Sequence, residues 1–374
     1  MFPLDIWKII FYDLDFKSQL NVISSCSYFR NNLAIIDLYN IERKYLEMLT
    51  IEILRYSIFE HVVGLDASYN DKIKDVSFLK SLKVLNASWD CEIDQNIINK
   101  LNLIELYAYN NKKIKNVSFM KSLKILDASW ECGINQNGIN GLDLVELCID
   151  DNNKITNISF MKSLKILNIS SECAINQNSI KNLDLIELIA NDNSRVTNVS
   201  FMKSLKKLYA FGNCGIDQIG IQNLNLTKLI AGNNDKIIDV SFMKSLKFLD
   251  VSGDCGINQN GVKELQLEEL FADENLKIKN VSFMKSLKYL SAVNFSGINQ
   301  IGIKNLNLIH LDVSWNKTIT NVSFMKSLKK LNITGFCGVN QNGIKNLDLI
   351  EICIRSNNKI TNVSFMESLK KIYQ

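Results

Sequence analysis

Histidine is nearly absent: only His61 and His310 carry an imidazole among 374 residues. Neither accompanies a serine or cysteine nucleophile motif, a phosphate-binding glycine loop or a metal-ligand spacing. The adjoining acids Asp150 and Asp151, like Asp273 and Glu274, form no obvious acid–base pair, because neighbouring strand residues face different ways. No catalytic residue, metal site or cofactor is therefore expected. An excess of one charge is also missing. The 43 basic and 39 acidic residues leave a net charge of +4, which is no signature of nucleic-acid binding. No apolar run approaches the length of a membrane span. The N-terminus, with Asp5, Lys8 and Asp13, lacks the basic-then-apolar order of a secretory signal. The expectation is a soluble, intracellular, cytoplasmic or nuclear protein with no membrane and no nucleic-acid partner. Proline occurs once, as Pro3, amid plentiful Asn, Ile and Lys, which suggests an AT-rich gene and no mechanism.

What abounds is repetition. Phe78, Phe119, Phe160, Phe201, Phe242, Phe283, Phe324 and Phe365 recur every 41 residues, each within a near-copy of VSFMKSLK. So constant a period means one supersecondary unit stacked on itself, each copy burying its neighbour's apolar face. The unit divides again, into Leu123, Leu126, Ala128 and Ile134, then Leu144, Leu147, Ile149, Asn152 and Ile155, with first-leucine spacings alternating between 21 and 20. Matching positions begin at Val62. The last complete repeat starts at Leu349, and a truncated one runs from Leu369 to Gln374, giving fifteen repeats and a stub.

This pattern resembles the leucine-rich repeat, one residue longer in its tail. The resemblance implies an α/β solenoid, arc- or horseshoe-shaped, over residues 62–374. Its columns have physical readings. Asn70, Asn111, Asn152, Asn193, Asn234, Asn275, Asn316 and Asn357 stand where the chain leaves the strand. There a side-chain amide can satisfy backbone groups that have lost sheet partners. The phenylalanines are expected to form an aromatic spine under the return segment. Cys91, Cys132, Cys173, Cys214, Cys255 and Cys337 form a third column. Ser296 takes the sixth place; equivalent positions two turns apart lie roughly 10 Å from one another, too far for disulfides, so the cysteines read as small buried hydrophobes. Nine cysteines, an odd number without a Cys-x-x-Cys motif, favour a reducing compartment.

On the concave strand face, lysines (Lys83, Lys124, Lys165, Lys206, Lys247, Lys288, Lys329) alternate with glutamates (Glu105, Glu146, Glu187, Glu269, Glu351). They read as a solvated ladder of pairs worth well under ~1 kcal/mol each. Other outward positions break the repeat. They supply Asp66, Asp127, Asp150, Asp151, Asp192, Asp250, Asp273, Glu274 and Asp312 against a single base, Arg355. Aromatics stand there early (Tyr69, Trp89, Tyr107, Tyr109, Trp130), midway (Tyr209, Phe211, Phe271) and late (Trp315). Aromatics flanked by acids suit a protein target with basic and apolar features; the bland alternative is drift among duplicated copies. Lys370 and Lys371 look like guards on an open sheet edge, arguing for a monomer.

The first 60 residues do not repeat. Phe2-Pro3-Leu4-Asp5-Ile6-Trp7 opens a helical pattern continued by Ile9, Ile10 and Leu14, and Leu20, Val22, Ile23, Cys26 and Phe29 follow a break at Asp15. Pro3 suits a helix start, and Asp15 and Ser18 offer caps for a second helix. Residues 41–61 show helical apolar spacing and read as a linker helix or N-terminal cap. Residues 1–40 resemble an F-box: a (Leu/Phe)-Pro-x-(Asp/Glu)-(Ile/Leu) opening, then Ile10, Leu14, Leu20, Cys26 and Phe29 at that family's spacing. Phe2 stands for the commoner Leu, and Ser27-Tyr28 for the usual basic pair. The resemblance implies docking on a Skp-type adaptor, and through it a cullin–RING ligase, by Pro3, Leu4, Ile6, Ile10, Leu14 and Leu20. F-box plus leucine-rich repeats is similar to the substrate receptors of SCF-type ubiquitin ligases, and the near-identical repeats look most like those of large DNA viruses. The alternatives are a decoy or scaffold whose N-terminal helices merely cap the solenoid, and a nucleic-acid-binding solenoid.

Overall fold

Three-residue strands follow directly from the leucine spacing. In Leu-x-x-Leu-x-Ala the second leucine is the middle residue of a strand and points into the core, while its two neighbours point out. The computed structural model describes residues 3–374, so Phe2 of the F-box-like opening lies outside the described residues. The chain falls into two units, Met1–Leu183 and Asp184–Gln374.

In the first unit, helices α1 (Leu4–Tyr12), α2 (Phe16–Ser25) and α3 (Ser27–Asn32) precede a short strand, β1 (Asp37–Leu38). The Pro3 carbonyl accepts the first amides of α1, from Ile6 (3.1 Å) and Trp7 (3.2 Å). Asp15 caps α2, its carboxylate accepting from the Ser18 amide (3.0 Å) and hydroxyl (2.9 Å). The Gln19 side chain closes α1 by donating to the Phe11 and Leu14 carbonyls. The linker helix expected over 41–61 is broken into α4 (Arg43–Leu46), α5 (Ile51–Leu54) and a 3-10 turn at Ser57–Phe59. Thr50 interrupts it by capping α5 through the Ile53 amide.

Six parallel strands follow: β2 (Gly64–Asp66), β3 (Val84–Asn86), β4 (Glu105–Tyr107), β5 (Ile125–Asp127), β6 (Glu146–Cys148) and β7 (Ile166–Asn168). β1 pairs with β2 and extends the sheet by one strand the repeat pattern does not contain. The second unit carries ten more parallel strands: β8 (Glu187–Ile189), β9 (Lys207–Tyr209), β10 (Lys228–Ile230), β11 (Phe248–Asp250), β12 (Glu269–Phe271), β13 (Tyr289–Ser291), β14 (His310–Asp312), β15 (Lys330–Asn332), β16 (Glu351–Cys353) and β17 (Lys371–Tyr373). Sixteen strands, β2 to β17, match the fifteen repeats and stub read from the sequence, and the fold is a parallel-strand solenoid of the leucine-rich-repeat type. Its helical content is slight: single turns at Gln95–Ile98, Gln136–Ile139 and Gln177–Ile180, then 3-10 turns in the second unit.

The asparagine column does what its chemistry suggests. Asn234 donates to the Ala210 and Ile216 carbonyls of the preceding turn (2.9 and 3.2 Å) and accepts from the Lys236 and Ile237 amides of its own (3.0 and 3.3 Å). Asn111 repeats this in the first unit. A second ladder went unread in the sequence. Gln259 accepts from the Lys279 and Asn280 amides (3.0 and 2.8 Å) and donates to the Asn280 carbonyl (2.8 Å), as Gln95, Gln218 and Gln341 do for their neighbours.

The six column cysteines are buried and form no disulfide. Burial pushes the Cys91 and Cys132 thiols up to about 12 and those of Cys214 and Cys255 to about 11. The phenylalanine column is not a buried spine. Within each turn Met120 N bonds to Val117 O, so Val117 and Met120 face the core and Phe119 between them is left 43% exposed.

Replacing Asn234 by alanine strands two carbonyls and two amides. It should cost the second unit about 1–3 kcal/mol, read as a lower denaturation midpoint. An unchanged midpoint would mean water substitutes for the amide. Titrating native thiols with a disulfide reagent at about pH 8 should label exposed Cys26 fast and half-buried Cys148 and Cys353 more slowly. The six column thiols should react only after unfolding.

Candidate binding faces

Every turn leaves its strand through a residue with positive φ, two positions beyond the strand's buried alanine, valine or isoleucine. Tyr69 (φ 56°), Trp89 (61°), Trp130 (59°), Asp151 (55°), Asp192 (56°), Glu274 (60°) and Trp315 (60°) all hold this left-handed conformation. This bend throws their side chains along the rim of the sheet. Gly335 (φ 75°) fills the same place beside Trp315, and a Cβ there would collide with the indole ring.

In the first unit the rim brings four expected aromatics into one run. Ring centroids lie 5.1 Å apart for Tyr69–Trp89, 4.7 Å for Trp89–Tyr109 and 5.6 Å for Tyr109–Trp130. The Arg43 guanidinium lies over the Tyr69 ring at 5.1 Å, and its Nη1 donates to the Ser68 hydroxyl (3.3 Å). Tyr107 stands apart, against Tyr39 (5.8 Å), with its hydroxyl donating to Glu105 (3.1 Å). Burial, with the Asp150, Asp127 and Asp151 charges behind it, raises the Tyr109 hydroxyl above the usual phenol range. Burial likewise holds the Asp127 and Asp150 carboxyls above the usual carboxylate range.

In the second unit the expected residues scatter. Asp192 accepts from the Asn213 amide (2.8 Å), Asp273 from the Ser291 hydroxyl and Val293 amide (2.6 and 2.8 Å), and Glu274 from the Asn294 side chain (2.6 Å). These oxygens tie neighbouring turns together. Tyr209 lies under Lys228, which also covers Phe248. Phe211 is half-buried, its amide held by Asn191. Phe271 joins a run that sequence reasoning missed: Phe248, Phe271, Tyr289 and His310, with centroids 5.2, 4.8 and 6.1 Å apart. Phe248 and Tyr289 open their strands where equivalent turns place Val84, Ile125, Ile166, Lys207 and Lys330, and that change to aromatic residues was the available signal. Beside them a hollow of about 410 Å³ is lined by Tyr289, His310, Asp312, Lys330, Glu351 and Tyr373, among others. Phe295, 77% exposed, and Phe336 also went unread, although they replace Asp90, Glu131, Glu172, Asn213 and Asp254 of other turns. Trp315 contacts Phe336 edge-on at 5.7 Å.

The lysine–glutamate ladder forms differently from expectation. Glu187 pairs with Lys207 (2.9 Å) and Glu351 with Lys330 (3.4 Å), both strand lysines. Lys83 and Lys124 instead reach the Asn102 and Asp143 carbonyls (3.4 Å each).

At the N-terminus, Pro3, Ile6 and Ile10 are exposed, and Leu4, Leu14 and Leu20 are half-buried. Ile9, outside the expected set, is the most exposed at 72%. Ile6, Ile9 and Ile10 lie three and four apart and share a face of α1. Beneath it Trp7 meets Phe29 at 4.7 Å, and Phe11 and Ile23 are buried.

A scan against protein-family models and a search of curated proteins both find no match. Solved structures with some likeness include an internalin from Listeria monocytogenes (TM-score 0.40, 16% identity, 90% of this chain and 95% of that one). Rad7 in its yeast complex with Elc1 scores 0.41 at 15% identity, covering 76% of this chain and 84% of that one. TLR13 in complex with ssRNA13 scores 0.41 at 17%, covering 91% and 73%. Likeness this loose transfers no partner, and the fold rests on the chain's own strand register.

Asp127 offers a pH test. Its pKa is raised in the folded state, so the folded chain holds the proton more tightly than the unfolded chain, whose value is near 3.8. Stability from this group therefore falls as pH rises from about 4 through the folded value. Asp127→Asn, which keeps the acceptor for the Ser129 amide, should stabilise the first unit more at neutral pH than at pH near 4. An equal gain at both, read by thermal unfolding, would mean the carboxylate is not penalised.

Proposed function

We propose that this chain is a target-binding subunit of an SCF-type cullin–RING ubiquitin ligase, held on a Skp-type adaptor by the exposed face of α1. The supporting observation is a division of labour at the N-terminus. Residues 33–59 already close the end of the first unit's sheet: Ile35, Leu38, Leu46, Leu49, Leu54 and Phe59 are buried, and β1 pairs with β2. The Asn70 amide donates to the Leu46 and Leu49 carbonyls (2.8 and 3.1 Å), so the cap also begins the asparagine ladder. The isoleucines of α1 cover none of this and remain open to a partner.

On this reading the adaptor grips Pro3, Ile6, Ile9 and Ile10, with Leu4, Leu14 and Leu20 supporting the face from beneath. The aromatic and acidic sheet faces hold a protein target. The protein acts as a monomer outside the complex, needs no cofactor or catalytic group, and works in the cytoplasm or nucleus of the cell that supplies the adaptor. A scaffold or decoy role without a ligase is the second reading. It is favoured by the Phe16–Tyr45 ring contact (5.1 Å), which ties α2 to the cap.

The two readings separate by calorimetric titration of the full chain with a Skp-type adaptor. Micromolar or tighter binding is expected, weakened roughly 30-fold or more by Ile10→Asp with no change in thermal unfolding. Half-buried Leu20 is a poorer probe, because a charge there would also threaten the fold. Absent binding, or binding indifferent to Ile10→Asp, leaves the scaffold reading.

A further inference from the structure

Tyr69, Trp89 and Trp130 occupy the strand-exit place, where the backbone is left-handed in turn after turn, a conformation that bulky residues adopt only at a cost. Equivalent turns fill it with Asn110, Gly212, Asn233 or Gly253. Three of the first four turns carry that cost, Asn110 holding the place between Trp89 and Trp130, and with Tyr109 the three bulky residues form the four-ring run of the first unit. Tyr69 and Trp130 remain more than two-fifths exposed, so the run is a surface and not a core.

Two further observations say what such a surface accepts. The fold itself seats a guanidinium on it, since Arg43 covers the Tyr69 ring at 5.1 Å. At the other end of the run, Asp150 follows Trp130 on the next turn, and one of its carboxylate oxygens, Oδ1, is enclosed without a hydrogen-bond partner. The nearby lysines are engaged elsewhere. Lys113 pairs with Glu92 (2.8 Å), Lys112 with Glu131, and Lys154 donates to the Cys132 carbonyl (2.7 Å). Among the described residues no ion pair involves Asp127, Asp150 or Asp151.

We propose that the Tyr69–Trp89–Tyr109–Trp130 ridge binds an extended, arginine- or lysine-bearing segment of a protein, with the cations lying on the ring faces and pairing with Asp150 and Asp151. Aromatic faces attract cations through their quadrupoles, and the carboxylates at the end of the run add charge complementarity. A single-stranded nucleic acid could stack on the same rings, but its phosphates would meet these carboxylates. The inference rests on the target-receptor reading only in naming the kind of target, and it involves no adaptor.

The full chain is titrated with a short arginine–glycine peptide, its glutamate–glycine counterpart and oligo-uridine, followed by tryptophan fluorescence and calorimetry. The arginine peptide should bind, and the other two should not. Trp130→Asn and Asp150→Asn should each weaken that binding roughly 10-fold or more, while Trp315→Ala in the second unit leaves it unchanged. Trp130→Asn is safe for folding because Asn110 and Asn233 hold the same backbone, and it should raise thermal stability while binding falls. Oligo-uridine or the acidic peptide binding as well as the basic one, or wild-type affinity in Trp130→Asn, overturns the proposal. Ile10→Asp should leave peptide affinity intact, so failure at the ridge and failure of adaptor docking read out separately.

Discussion

The structure depends on one amide per pair of turns. A solenoid turn must bend its backbone inward after each strand, and there its N–H and C=O groups face neither water nor a sheet neighbour. Asn111 and Asn234 satisfy four such groups each, two on their own turn and two on the turn before. Carboxylates could not replace them, because two of the four bonds require a donor. The alternate turns have no such amide and put a buried cysteine, or Ser296 in one turn, one residue later. There a lysine from the next turn bonds the cysteine carbonyl, as Lys236 does for Cys214 and Lys277 for Cys255. This explains why the period is 41 and not 20: the unit that repeats is an asparagine turn and a cysteine turn that complete each other.

That pairing limits where function can reside. The buried leucines, the asparagines, the glutamines that bind the return segment and the column lysines are all committed to joining turns. A substitution among them spends stability. What is free is the outward residue of each strand and the left-handed exit residue beside it. Even there some acids are occupied, as Asp192 and Asp273 are by neighbouring amides. The positions left over are those where aromatic residues gather, which is why departures from the repeat are more informative than the repeat itself.

The number of turns, the direction of each side chain along the strands and the roles of the asparagine and cysteine columns were legible because each is a one-dimensional signal. The glutamine ladder was just as periodic. It was missed because a polar residue in a polar loop has no hydrophobic contrast to mark it. The phenylalanines misled for the opposite reason. Their regularity suggested burial, but in a tight Val-x-x-Met turn the residue before methionine must face out. β1 could not be read at all: two residues without a repeat to match become a strand only because β2 has an open edge. The candidate faces were partly legible. The four-ring run could be assembled from repeat position alone, but Phe248 and Tyr289 stand in a column of mixed aliphatic and charged residues to which the sequence reading gave no role.

The N-terminal segment poses the inverse problem. Its apolar spacing is equally consistent with covering a sheet end and with meeting another protein. Only burial separates the two uses. The segment from Leu33 to Phe59 is where the buried apolar side chains concentrate, and Phe11 and Ile23 are the buried ones within the three helices before it. A helix that buries one phenylalanine and exposes three isoleucines gains little from the fold that carries it, because each exposed side chain forgoes most of the transfer free energy that burial would supply. Such a helix carries an apolar face that lowers solubility, and covering the isoleucines with a second surface would offset that cost. The same reasoning separates Leu20 from Ile9 and Ile10: a half-buried leucine already serves the fold, whereas the isoleucines remain exposed.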